Sequence, residues 1–80
     1  MQINSAADFG QIVRKVRKKL NLTQSDLAGA CGTGTRFIVD LEHGKPTCEF
    51  EKVLRVAQML GLKIEITQFP LLMDELEWRS

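Results

Sequence analysis

The sequence predicts a mainly helical domain of four to five short helices that ends in one short strand. Three observations carry that prediction: apolar residues recur at helical spacing in four successive segments, glycines and a proline punctuate the ends of those segments, and residues 62–67 switch to strict alternation. Eighty residues, 44% hydrophobic and 26% charged, suffice for one modest core and no second one.

Ser5 is placed to cap the first helix, 6–20, with Asp8 three residues on, near the positive end of the helix dipole. Phe9, Ile12, Val13, Val16 and Leu20 form its apolar stripe, and Arg14, Lys15, Arg17, Lys18 and Lys19 a solvated basic face. Asn21 breaks this helix and Thr23 caps the second, 24–31, which turns Leu27 and Cys31 inward and puts Ala28 at a helix crossing. Gly32 ends it with a left-handed turn that suits a steep angle between helices. Gly34 and Thr35 begin the third helix, with Ile38 and Leu41 inward and Thr35, Arg36, Val39 and Asp40 outward; Gly44 stops it and Pro46 forbids continuation. Thr47 is placed to cap the fourth, whose first turn carries Glu49 and Glu51 and whose apolar face is Phe50, Val53, Leu54, Val56, Ala57 and Leu60, up to Gly61.

Leu62, Ile64 and Ile66 then alternate with Lys63, Glu65 and Thr67 as a half-buried strand. No other segment reads as a strand, so its backbone groups are expected to pair with the same strand of a second subunit across a two-fold axis. A core this small without a disulfide framework also favours a homodimer.

The net charge of +1 hides an asymmetry: residues 1–46 carry seven Lys/Arg against four Asp/Glu, and residues 47–80 four against six. No apolar run approaches the roughly 18 residues of a membrane span, and the start MQINSAADFG lacks the regions of a signal peptide, so a soluble cytoplasmic protein with no membrane role is expected. Cys31 and Cys48, 17 residues apart with only His43 nearby, match neither zinc-ligand nor redox spacing, and no metal or other cofactor is expected. One histidine and two unpaired cysteines offer no nucleophile with an orienting base, which argues against an enzyme.

The twenty residues from Gln24 to His43 place Leu27, Ala28, Cys31, Gly32, Ile38 and Leu41 where two helices cross around a tight turn, a helix-turn-helix register. With Leu22-Thr23-Gln24 opening the second helix and Leu41-Glu42-His43-Gly44 closing the third, residues 9–62 resemble the Cro and phage-repressor superfamily, often called XRE. That resemblance implies a lambda-repressor-like fold whose third helix enters the major groove of double-stranded operator DNA. Carried onto this chain, Thr35, Arg36, Val39 and Asp40 face base edges. Arg36 is the principal candidate, because its planar fork matches the two acceptors of guanine. Val39 suits a thymine methyl, and Asp40 either accepts from cytosine or orients Arg36 one helical turn away. Gln24 and Lys45 are phosphate candidates. His43 stands where asparagine is customary, as a phosphate contact or an exposed helix-end residue.

Arg17 and Glu42 fall at positions where the family usually carries a structural ion pair, which takes Arg17 out of the DNA contacts. Gly34 replaces the usual hydroxyl cap of the third helix, leaving backbone amides for the phosphate, and the bulk of Phe37 suits packing better than base contact. The segment 32–64 further resembles the HipB-type antitoxins, which accompany HipA-type kinases; this implies an autorepressor of a toxin-antitoxin operon with a HipA-like kinase as partner. The expected organisation is a DNA-binding and dimerisation domain over 1–67 and a tail over 68–80. That tail, with Leu76-Glu77-Trp78 near its end, is either an arm on which Leu76 and Trp78 hold the partner or a segment folded back on its own dimer. Two other classes stay open, a phage-type or metabolic repressor without a toxin and a helical protein-interaction module without DNA.

Overall fold

A computed structural model describes residues 2–66, arranged as four helices: α1 (Ala6–Lys19), α2 (Gln24–Cys31), α3 (Thr35–Glu42) and α4 (Phe50–Met59). Thr67 and the tail, with Leu76 and Trp78, lie outside the described residues.

Local chemistry sets most helix ends. The Ser5 hydroxyl accepts from the Asp8 amide at 3.2 Å, which satisfies one orphan donor at the start of α1, and the Asn4 amide donates to the Asp8 carboxylate at 2.9 Å. Thr23 and Asp26 form a reciprocal capping box at α2, with both bonds 2.9 Å long. Hydrogen bonding from the Thr23 backbone, and then from its side chain, holds the Asp26 carboxyl below its usual range. Gly32 adopts φ +70° at the end of α2, and the Thr33 amide reaches back to the Ala28 carbonyl at 2.9 Å.

Val13, Leu27, Ile38 and Val56, one from each helix, are fully buried at the centre, with Ala28, Cys31, Leu41 and Leu60 around them. Each large side chain removed from water in this way contributes about 1.5–3 kcal/mol before entropy is counted. Helix α3 packs on both α1 and α2, and α4 packs on α2. Arg55 ties that last contact by donating Nη1 to the Cys31 carbonyl at 3.2 Å.

Three details differ from the sequence reading. Helix α1 stops at Lys19 and Leu20 is 51% exposed, because the chain turns away there through Asn21 at φ +60°. Thr47 does not cap α4. That helix starts at Phe50 behind Glu49, which makes no side-chain cap bond, and Phe50 is 69% exposed. A Cβ on Gly44 would stand 2.7 Å from the Ala7 Cα, so the chain leaves α3 pressed against α1. Gly10 is a like case with no sequence signal: a Cβ there would lie 2.4 Å from the Leu41 carbonyl oxygen, so its bareness sets how closely α1 approaches α3.

Residues 62–66 form no ladder with other described residues. Leu62 packs on the core while Ile64 and Ile66 are 48% and 96% exposed. Among the described residues no helix is long and apolar enough to cross a membrane, and no cluster of three or more His, Cys, Asp or Glu is placed to hold a metal ion. Burial pushes the Cys31 and Cys48 thiols up, away from the reactive thiolate.

Candidate nucleic-acid interface

The outward surface of α2, its turn and α3 is built on one buried ion pair. Arg17 Nε donates to Glu42 Oε2 at 2.6 Å and Nη2 to Oε1 at 3.1 Å, while Nη1 donates to the Leu22 carbonyl at 2.8 Å. The two side chains are 9% and 3% exposed, so α1, the loop before α2 and the end of α3 are locked together at one point. The hydrogen bond to Glu42 raises the Arg17 guanidinium above its ordinary value. Gln24, at the first position of α2, is drawn into the same knot, its amide donating to Glu42 Oε1 at 3.1 Å. An amide has two such hydrogens, so one remains for an outside acceptor.

Arg14, Arg17, Gln24, Glu42 and His43 line a polar cleft of about 260 Å³ beside this knot. Periodicity had placed Arg14 on the solvated basic face of α1; its position at the cleft was legible only once α1 and α3 were docked. The His43 ring sits 2.8 Å from the Val39 carbonyl through Nδ1. A carbonyl can only accept, so Nδ1 carries the proton and Nε2 is left for an outside group.

Helix α3 presents its N-terminal half to solvent. Gly34 supplies no side-chain cap, Thr35 is exposed, and the Arg36 side chain is 85% exposed. Val39 is half-buried on the same flank. The Asp40 side chain, 20% exposed, meets Arg36 Nε at 3.2 Å through Oδ1 and Lys45 Nζ at 3.5 Å through Oδ2. Phe37 packs against the core and carries Lys52 Nζ 5.8 Å from its ring centre, so it is not a base reader. Arg36, Asp40 and Lys45 thus form one charged cluster and Gln24 and His43 line the cleft beside the ion pair, whereas Leu62 and Ile64 line an apolar groove that Lys45 also lines. That groove, about 820 Å³, runs between α1 and α4 past Phe9, Val16 and Phe50.

Chemically, the α3 surface offers one guanidinium with a free fork, an acceptor-only carboxylate and an ammonium, over a rigid base. That set suits base edges and phosphates and lacks the paired acid and base of a catalytic centre.

Comparison with known proteins agrees with this geometry. A family model described as a helix-turn-helix domain matches residues 10–69. An uncharacterized HTH-type transcriptional regulator of Sinorhizobium fredii, y4mF, is 57% identical over 65 residues, which is 81% of this chain and 86% of the relative. The HipB chain of a HipB–O4 20mer complex superposes with a TM-score of 0.77 at 22% identity, covering 85% of this chain and 96% of that one. A chain of the HipA–HipB–O2–O3 complex matches with the same TM-score of 0.77, 22% identity and 85% and 96% coverage. The last two likenesses establish the fold, the lambda-repressor-like arrangement expected from the helix-turn-helix register.

Proposed function

The chain belongs to the helix-turn-helix domain family of HTH-type transcriptional regulators, and from that premise we propose that it is a sequence-specific repressor that binds a palindromic operator as a homodimer. The observation that carries this reading is the exposed fork of Arg36 on a helix whose far end is fixed by the buried Arg17–Glu42 pair. A base-reading side chain needs a free head and a rigid mount.

Thr35, Arg36, Val39 and Asp40 face the base edges of the major groove, with Arg36 on a guanine. Gln24, His43 and Lys45 hold the flanking phosphates, helped by the positive end of α2. The apolar groove along α1 and α4, together with the exposed Ile64 and Ile66, supports pairing of Leu62, Ile64 and Ile66 across a two-fold axis. The two recognition helices then fall on half-sites one helical turn, or a multiple of one, apart.

The partner beyond DNA is a HipA-like kinase, which makes the chain the antitoxin and autoregulator of its operon. Support comes from the likeness to HipB in the HipA–HipB–O2–O3 complex, and from the apolar and acidic composition of 68–80, where Leu76 and Trp78 are the anchors.

A binding titration tests the reading. The purified protein is mixed with labelled DNA from upstream of its own gene at several salt concentrations, alone and with the product of the neighbouring gene. Specific, salt-steep binding that Arg36→Ala weakens by roughly 1–3 kcal/mol is expected. Binding by Arg36→Ala that matches the parent on its own upstream DNA and on unrelated DNA would sink the base-reading role, and failure of the neighbouring product to join the complex would sink the kinase partnership.

A further inference from the structure

We propose, resting on the DNA-reading assignment above, that Asp40 is the discriminator of this interface: a carboxylate that neutralises two DNA-facing cations and, once DNA recruits them, is itself satisfied only where a base-edge amine takes their place. The arrangement is built by the backbone. Helical spacing brings Arg36 one turn before Asp40, with Nε 3.2 Å from Oδ1. Gly44, at φ +81°, then folds the chain back so that the Lys45 amide donates to the Asp40 carbonyl at 3.0 Å, and the Lys45 ammonium arrives 3.5 Å from Oδ2. Each carboxylate oxygen therefore serves one cation, and the trio presents a single net positive charge where its two bases alone would present two.

Such exposed pairs are weak, so neither cation is locked and DNA can recruit both. The cost falls on Asp40. An ionised carboxylate only accepts hydrogen bonds. Beside a phosphate, or the acceptors of guanine and thymine, it finds repulsion; beside the exocyclic amine of cytosine or adenine it finds a donor. Asp40 thus penalises DNA in general and spares sites that place an amine-bearing base next to the guanine read by Arg36.

The test compares Asp40→Asn with the parent on two probes: sheared calf-thymus DNA, and a short duplex selected by the parent from a randomised pool. Asp40→Asn binds calf-thymus DNA several-fold more tightly, and its log–log salt slope steepens by about 0.9, the increment for one more neutralised phosphate. Affinity for the selected duplex does not rise with it, so the discrimination ratio falls by about tenfold, within the range for one base contact. Reselection with Asp40→Ala, whose methyl accepts no hydrogen bond, loses the preference for cytosine or adenine at one position, and which base is lost names the amine. Asp40→Ser, which keeps a short polar side chain, reproduces the effect and guards against a fold defect in the first variant. Unchanged affinity and slope on calf-thymus DNA, or an intact ratio, overturns the proposal. Arg36→Ala separates the levels: indifference of both parent and Arg36→Ala to sequence overturns the reading of α3 itself, and the role of Asp40 with it.

Discussion

Replacing Arg17 by alanine strips the buried knot of its only cation, and the consequence can be worked from the contacts. Glu42 Oε2 loses its 2.6 Å partner and Oε1 keeps only the neutral amide of Gln24 at 3.1 Å, in a side chain 3% exposed; the Leu22 carbonyl loses its 2.8 Å donor as well. Removing one member of a buried pair costs about 3–5 kcal/mol. Arg17 sits at the edge of the knot, 9% exposed, which argues for the lower end, about 3 kcal/mol. For a domain of this size each kcal/mol moves the melting temperature by roughly 4–8 °C, so a fall of about 12–24 °C is expected in thermal melts followed by circular dichroism. Because the penalty belongs to the orphaned carboxylate, the double variant Arg17→Met, Glu42→Leu should recover most of the loss, a coupling visible in a double-mutant cycle. Arg17→Ala melting with the parent, or losses that simply add in the double variant, would refute the reasoning.

Two further outcomes bear on the same scaffold. Gly10→Ala should destabilise by about 1–2 kcal/mol despite alanine's better helix propensity, because its Cβ would meet the Leu41 and Glu42 carbonyl oxygens at 2.4 and 2.8 Å and the backbone must part. Gly29→Ala, with nothing within 4 Å of the added atom, should instead stabilise by up to about 1 kcal/mol and raise the melting temperature in the same assay; equal shifts for the two would show that propensity alone governs both. The depressed Asp26 carboxyl makes the α2 cap pH-dependent. Its contribution is complete above the ordinary aspartate value of about 3.9 and is lost as pH falls through the lowered folded-state value. In urea titrations across the acid range, Asp26→Asn should therefore lose stability less steeply than the parent; identical slopes would count against the cap.

Much of this molecule can be read in one dimension because its signals are local. The caps Ser5 and Thr23, the left-handed turns at Gly32, Gly44 and Gly61, and the inward set Val13, Leu27, Ile38, Leu41 and Val56 each depend on residues within a few positions, and all fall where periodicity and turn chemistry put them. The misses are of another kind. Thr47 has the chemistry of a cap, yet α4 starts only at Phe50, behind Glu49; the close approach of Gly44 to Ala7, 37 residues away in the chain, likewise has no local signal. Phe50 belongs to the apolar stripe by spacing, yet it stands in solvent beside the groove.

What the sequence by itself determined is the order and inward faces of the helices, and through the Gln24 to His43 register the surface proposed to meet DNA. Helix spacing is a property of the backbone, so a stripe or a turn needs no knowledge of its neighbour. Tertiary structure alone decided how the functional groups are shared out. Beside the expected Arg17–Glu42 pair it spent half of Gln24 on Glu42, brought Arg14 to the same cleft, left Arg36 with its fork free, and folded Lys45 over Asp40. Those assignments depend on distances of a few ångströms between residues far apart in the chain, helped by the bare Cα of Gly10 and the turn at Gly44. Which cation is free to read a base is a question of packing, because a charge already paired inside the protein has no vacant geometry to offer the nucleic acid.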